Sequence, residues 1–191
     1  LRNENLKMMI LAALFAAITA ICAQITLNIP PVPFTLQTLA VTLAAMILGS
    51  RYGSISMIVY VLIGAFGAPV FAGFKGGFQY LFDKTGGYLF GFILAAFVIG
   101  FIMERGPVTL AKAIFANVIG LLIIYAAGVT QLKIVLAVDW IQALQFGMLP
   151  FLIPDAIKLV TATILGVMIR KRLVSAGLLA THGSLTKKYQ M

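Results

Sequence analysis

Between Met8 and Ser50 the chain carries no charged residue. A run of that length cannot face water, and a hydrocarbon layer about 30 Å thick takes only about 20 helical residues per crossing. More than one crossing is therefore needed. Pro30, Pro31 and Pro33 divide the run, because proline lacks the backbone donor that a helix interior requires. The remainder has the same character: 62% of residues are hydrophobic and 10% charged, against roughly 45–50% and 25% in soluble domains. These values imply an all-α integral membrane protein and exclude disorder. The net charge of +9 does not indicate nucleic acid, since the 14 basic residues lie scattered between apolar runs. A single cysteine, Cys22, excludes an internal disulfide framework.

Charges, glycines and prolines then delimit the helices. The sequence predicts a first helix near 7–28, retained rather than cleaved as a signal peptide, because equally apolar segments continue to Ile169. A second is expected near 35–50, and a third from the turn Gly49-Ser50-Arg51-Tyr52-Gly53 to about Ala72, bent around Gly64, Gly67 and Pro69. A fourth starts at Thr85, as a cap, and ends at Glu104-Arg105-Gly106-Pro107; a fifth spans about 108–130. Lys133, Asp139, Pro150 and Pro154 make 130–154 read as a loop with a short interfacial helix, to which Trp140 is suited. The last helix runs from Asp155 to about Val174, giving one six-helix domain over 1–174 and a polar tail over 175–191.

Six crossings put both termini on one side. Arg2, Lys7, Arg51, Arg105, Lys112, Arg170, Lys171, Arg172, Lys187 and Lys188 then share that side, and only Lys75, Lys84 and Lys133 fall opposite. Ten basic residues against three assign the termini, and the tail, to the cytoplasm. A seven-helix count would strand the basic C-terminus outside.

Asp155 and Lys158 are the only charges between Trp140 and Ile169. Intramembrane charge is costly and usually functional, and i, i+3 spacing puts both groups on one helix face. Lys158 lies roughly 18 Å from Arg170 along a helix, so the pair belongs to the outer half of the bilayer. Two readings stand: a donor and an acceptor lining an outward-facing ligand pocket, or a neutralised pair that fixes packing. The connection Gly73 to Tyr88 is a second candidate, with Gly86 and Gly87 at a helix start suited to an anionic group; glycine turns of this kind are also common in membrane proteins. Gln37 is a polar group near the same face, whereas Asn117 and Gln142 suit helix packing. Small residues repeat every four positions along the first helix, as Ala13 with Ala17 and as Ala12, Ala16 and Ala20, for internal packing or for a partner helix. His182 has no second ligand nearby. Neither G-x-x-x-x-G-K-S/T nor H-E-x-x-H occurs, so ATP hydrolysis and metal proteolysis are not assigned to this chain.

Taken in order, Ala23-Gln24-Ile25, Pro31-Val32-Pro33-Phe34-Thr35-Leu36-Gln37, Leu48-Gly49-Ser50-Arg51-Tyr52-Gly53, Gly67-Ala68-Pro69-Val70-Phe71-Ala72-Gly73, Thr85-Gly86-Gly87-Tyr88 and Pro154-Asp155-Ala156-Ile157-Lys158 resemble the BioY family. Members of that family are the biotin-specific substrate-binding subunits of energy-coupling factor (ECF) transporters. The resemblance covers about residues 7–172. It implies a six-helix protein that binds biotin from outside, without a cofactor, Asp155 and Lys158 addressing the ureido ring and Lys75, Gly86, Gly87 and Tyr88 lying near the ligand. Where members commonly read Gly-Pro, this chain has Asp83-Lys84, and Lys75 stands where an asparagine can occur; Lys75 is the expected partner of the biotin carboxylate. The implied partners are a transmembrane coupling protein, docked on Ala13 and Ala17, and two cytoplasmic ATPases. The alternatives are a stand-alone biotin carrier or facilitator and a small membrane enzyme using Asp155.

Overall fold

A computed structural model of the chain describes residues 2–27 and 29–177. Within them lie α1 (Arg2–Gln24), α2 (Gln37–Ala65), α3 (Gly86–Glu104), α4 (Leu110–Leu136), α5 (Trp140–Gly147) and α6 (Leu152–Ser175). A small antiparallel ladder pairs β1 (Thr26–Leu27) with β2 (Phe34–Thr35), Thr26 opposite Thr35 and Leu27 opposite Phe34. Among the described residues, five segments are long and apolar enough to cross a bilayer: most of α1, then α2, α3, α4, and the stretch from Trp140 to Ser175. Most of the polar tail, with His182, lies outside the described residues.

Five segments stand where six were expected because helical structure runs through α2 without an intervening loop. Its backbone nevertheless breaks at Gly49, with φ 80° and ψ −173°, a conformation open only to glycine. Beyond the break the chain runs back along itself. The Gln37 amide donates to the Tyr60 hydroxyl at 2.7 Å, although a straight helix would hold these residues about 34 Å apart. Glu104, at the end of α3, closes the reversal. Its carboxylate accepts from the Ser50 amide at 2.8 Å and the Ser50 hydroxyl at 2.7 Å, satisfying donors that the start of the segment 50–65 leaves unpaired. A side chain on Gly49 would overlap that carboxylate, and one on Gly100 would overlap the Ser50 backbone.

Other boundaries move for local reasons. The first helix ends at Gln24, not 28, because the following residues enter β1. The expected third helix stops at Ala65 rather than Ala72, and Gly67 turns the chain with φ 102°. Thr85 precedes α3 without a side-chain cap, whereas the Thr109 hydroxyl caps α4 by accepting from the Lys112 amide at 3.3 Å. The region expected as loop is mostly helical: α4 continues to Leu136 and Asp139 caps α5, accepting from the Gln142 amide at 2.7 Å. Lys133 is tolerated in the last turn of α4, where a cation complements the helix dipole.

The core lies between α2, α3 and α4, with Met46, Met57, Tyr60, Ile99 and Met103 fully buried. Large apolar side chains such as Ile10, Phe115, Ile141 and Ile153 point outward, as a lipid-facing exterior requires. The two alanine registers of α1 separate: Ala12 and Ala16 are buried in the core clusters, whereas Ala13 and Ala17 are exposed.

Candidate functional site

At the end where α3 and α6 begin, the helices leave a cavity of about 560 Å³, within the range of small-molecule sites. Its walls are built from the proline segment before α2, the loop joining α2 to α3, and the facing sides of α3, α4 and α6. The Pro30–Pro31 bond is cis, and the ladder of β1 and β2 brings both ends of the proline segment together. Val32, at its centre, is buried against Tyr125, Leu132 and Phe151. Apolar lining comes from Leu89, Phe92 and Ile124.

Asp155 and Lys158 line this cavity and are both buried. Asp155 stands in the first turn of α6, where the helix dipole favours a carboxylate and Pro154 costs no internal hydrogen bond. It forms an ion pair with Lys158 and accepts from the Tyr125 hydroxyl and, at 3.3 Å, from the Thr38 hydroxyl. Lys158 also donates to the Thr35 carbonyl at 2.8 Å, and its ammonium lies 4.2 Å from the centre of the Phe34 ring. An ammonium has three donors and a carboxylate about four acceptor positions. Two of those donors and three of those acceptor positions are engaged. One donor and one acceptor remain, side by side, at a cavity wall. That pattern suits a neutral planar group presenting an N–H next to a carbonyl.

The other residues singled out from the sequence divide. Gln37 lines the cavity, but its amide is engaged by the hydroxyls of Tyr60 and Thr35, at 2.7 and 2.9 Å. Tyr88 also lines it, while its hydroxyl donates to the Gly147 carbonyl at 2.8 Å. Lys75 lines the cavity from an exposed position on the loop. Gly86 and Gly87 do not line it. They are buried where a β-carbon on Gly86 would strike the Leu81 carbonyl of the preceding loop and the Gln131 side chain of α4, and one on Gly87 the Ala127 carbonyl of α4, so they admit the close approach of these segments to the start of α3. Asn117, fully buried, donates to the Thr163 hydroxyl at 2.8 Å between α4 and α6.

The sequence reading missed Tyr125, Thr38 and Thr35 as partners of the charged pair, and Lys84 as a lining cation. Thr35 fell inside the proline segment already singled out. A lone tyrosine on an apolar helix gave no signal of its own.

Fold and site together define a multi-pass helical membrane protein with a cavity lined by a buried ion pair. Residues 2–175 match the model of the BioY family. The biotin transporter BioY of Thermotoga maritima is 45% identical over 166 residues, 87% of this chain and 97% of that protein. The biotin transporter BioY2 of Lactococcus lactis is 35% identical, over 91% of this chain and 95% of its own length. In three dimensions the chain is similar to the crystal structure of the S-component for biotin from an ECF-type ABC transporter, with a TM-score of 0.82 at 23% identity, covering 90% of this chain and 94% of that one. The chain belongs to the BioY family.

Proposed function

We propose that this chain is the biotin-capturing membrane subunit of an ECF-type importer. The observation that carries the reading is the Asp155–Lys158 pair in the cavity, with one acceptor and one donor uncommitted. The ureido ring of biotin presents an N–H beside a carbonyl. The carboxylate would accept from the first and the ammonium donate to the second, while Leu89, Phe92 and Ile124 meet the thiophane ring and the valeryl chain. The names of the relatives point to the same solute and count against a membrane enzyme built on Asp155.

Six crossings, with both termini cytoplasmic and the cavity facing out, fit this reading. The reversal at Gly49 supports counting α2 as two antiparallel passes. Arg170, whose guanidinium donates to the Met46 carbonyl, lies roughly 22 Å along α6 from Asp155. The basic cluster Arg170-Lys171-Arg172 is thus at the end opposite the cavity, and positive charge is retained on the cytoplasmic side. Energy would come from two cytoplasmic ATPases through a coupling protein seated on the exposed Ala13 and Ala17.

Calorimetric titration of the detergent-solubilised chain with biotin tests the central claim. Trp140 does not line the cavity, so heat is a better signal than its fluorescence. Tight binding is expected, and its absence from a folded preparation would overturn the reading. Leucine at both Ala13 and Ala17 should leave binding intact and reduce ATP-driven uptake by the assembled importer about tenfold or more. Movement of labelled biotin into liposomes by the purified chain alone would favour the stand-alone carrier.

A further inference from the structure

Lys75, Lys84 and Asp83 also line the cavity, from the loop before α3, and Gln131, which holds the Asp83 carbonyl, lies six residues, roughly 9 Å, along α4 from Tyr125, which holds Asp155. The two lysines are not equivalent. Lys75 closes a turn, its backbone paired with that of Phe71, and its side chain is exposed with the ammonium 5.7 Å from the centre of the Tyr80 ring. Lys84 is half-buried and has neither a hydrogen bond nor an ion pair with any described residue. Its backbone is held from both sides. The Gln131 side chain on α4 donates to the Leu81 carbonyl at 2.8 Å and the Asp83 carbonyl at 2.7 Å, and the Gly86 amide donates to the Asp83 carbonyl at 2.9 Å. Lys84 also directly precedes Thr85 and the start of α3, where the helix dipole adds positive potential.

A cation that lines a cavity with its hydrogen-bond donors uncommitted can give a charge-assisted hydrogen bond to an anionic ligand group. We infer that Lys84, rather than Lys75, receives the carboxylate at the tail of the bound ligand and makes this site selective for an anionic tail. The inference rests on the biotin reading above and extends it to the opposite end of the ligand. Asp83 on the same wall sharpens the requirement. Two cations and one acid leave the rim with a net single positive charge, which fits one carboxylate.

The test compares biotin with biotinamide, which keeps the ureido ring and replaces the carboxylate by a neutral amide. The native chain should bind biotin about tenfold more tightly than biotinamide, as expected for one charge-assisted hydrogen bond at a partly solvated position. In Lys84→Gln that ratio should fall to about one, with biotinamide affinity unchanged, and Lys84→Arg should restore it. Unchanged biotinamide binding reports an intact fold and an intact ureido grip within the same titration. A ratio that survives Lys84→Gln, or that collapses in Lys75→Gln while surviving in Lys84→Gln, overturns the assignment. So does a native chain that holds both ligands equally. A folded native chain that binds neither overturns the biotin reading itself.

Discussion

Asp155 and Glu104 are both carboxylates at the ends of apolar helices, and both accept hydrogen bonds from other segments. Asp155 accepts from Tyr125, Thr38 and Lys158, and one side of it borders a cavity. Glu104 accepts from the Ser50 amide and hydroxyl, does not line that cavity, and meets the backbone where Gly49 reverses the chain. The energetic demand is alike, since a charge withdrawn from water must find donors. The surroundings differ. Where the carboxylate is spent on the backbone of a chain reversal it is architecture; where it borders a concave wall with unspent hydrogen-bonding capacity it offers a place for a guest. A charge inside an apolar run is thus a statement about cost, and the shape around it decides the use.

The largest test of that contrast is Asp155→Ala, which should weaken biotin binding at least about 100-fold by leaving Lys158 buried without its counter-charge. Circular dichroism and gel filtration should still report a folded chain. Native-like affinity in such a variant would erase the distinction between the two carboxylates. Tyr125→Phe removes one of the donors that orient Asp155 and should cost about tenfold in affinity, read by the same calorimetry. Smallest on binding is Glu104→Ala. Affinity should stay within about twofold, while thermal unfolding in detergent shifts down by the equivalent of about 1–2 kcal/mol, the usual worth of a lost helix cap. A large loss of affinity there would mean that the far end of the bundle reaches the site.

Legibility in the sequence followed physical contrast. Asp155 and Lys158 were conspicuous because two charges interrupt an otherwise neutral stretch, and the end of α3 because Glu104-Arg105-Gly106-Pro107 combines charge with a proline. The reversal at Gly49 was located, but not that helical structure runs up to it on both sides, since one glycine in a special conformation needs no polar loop. Strands of two residues have too little periodicity to register. Gly86 and Gly87 were ambiguous from the start: a glycine that admits a ligand and one that admits a neighbouring helix look the same until the Ala127 carbonyl is found against it. Tyr125 became readable only through α6, because its hydroxyl acquires meaning from a carboxylate thirty positions away in the chain.

The hydrogen bond from Lys158 to the Thr35 carbonyl ties the helix that carries the ion pair to strand β2, at the end of the proline segment. On the biotin reading, a ligand that draws on that ammonium shares it with this strand. On that reading the position of the strand and the strength of the grip are linked, so a change that loosens the strand should weaken binding even though it touches no atom of the ligand.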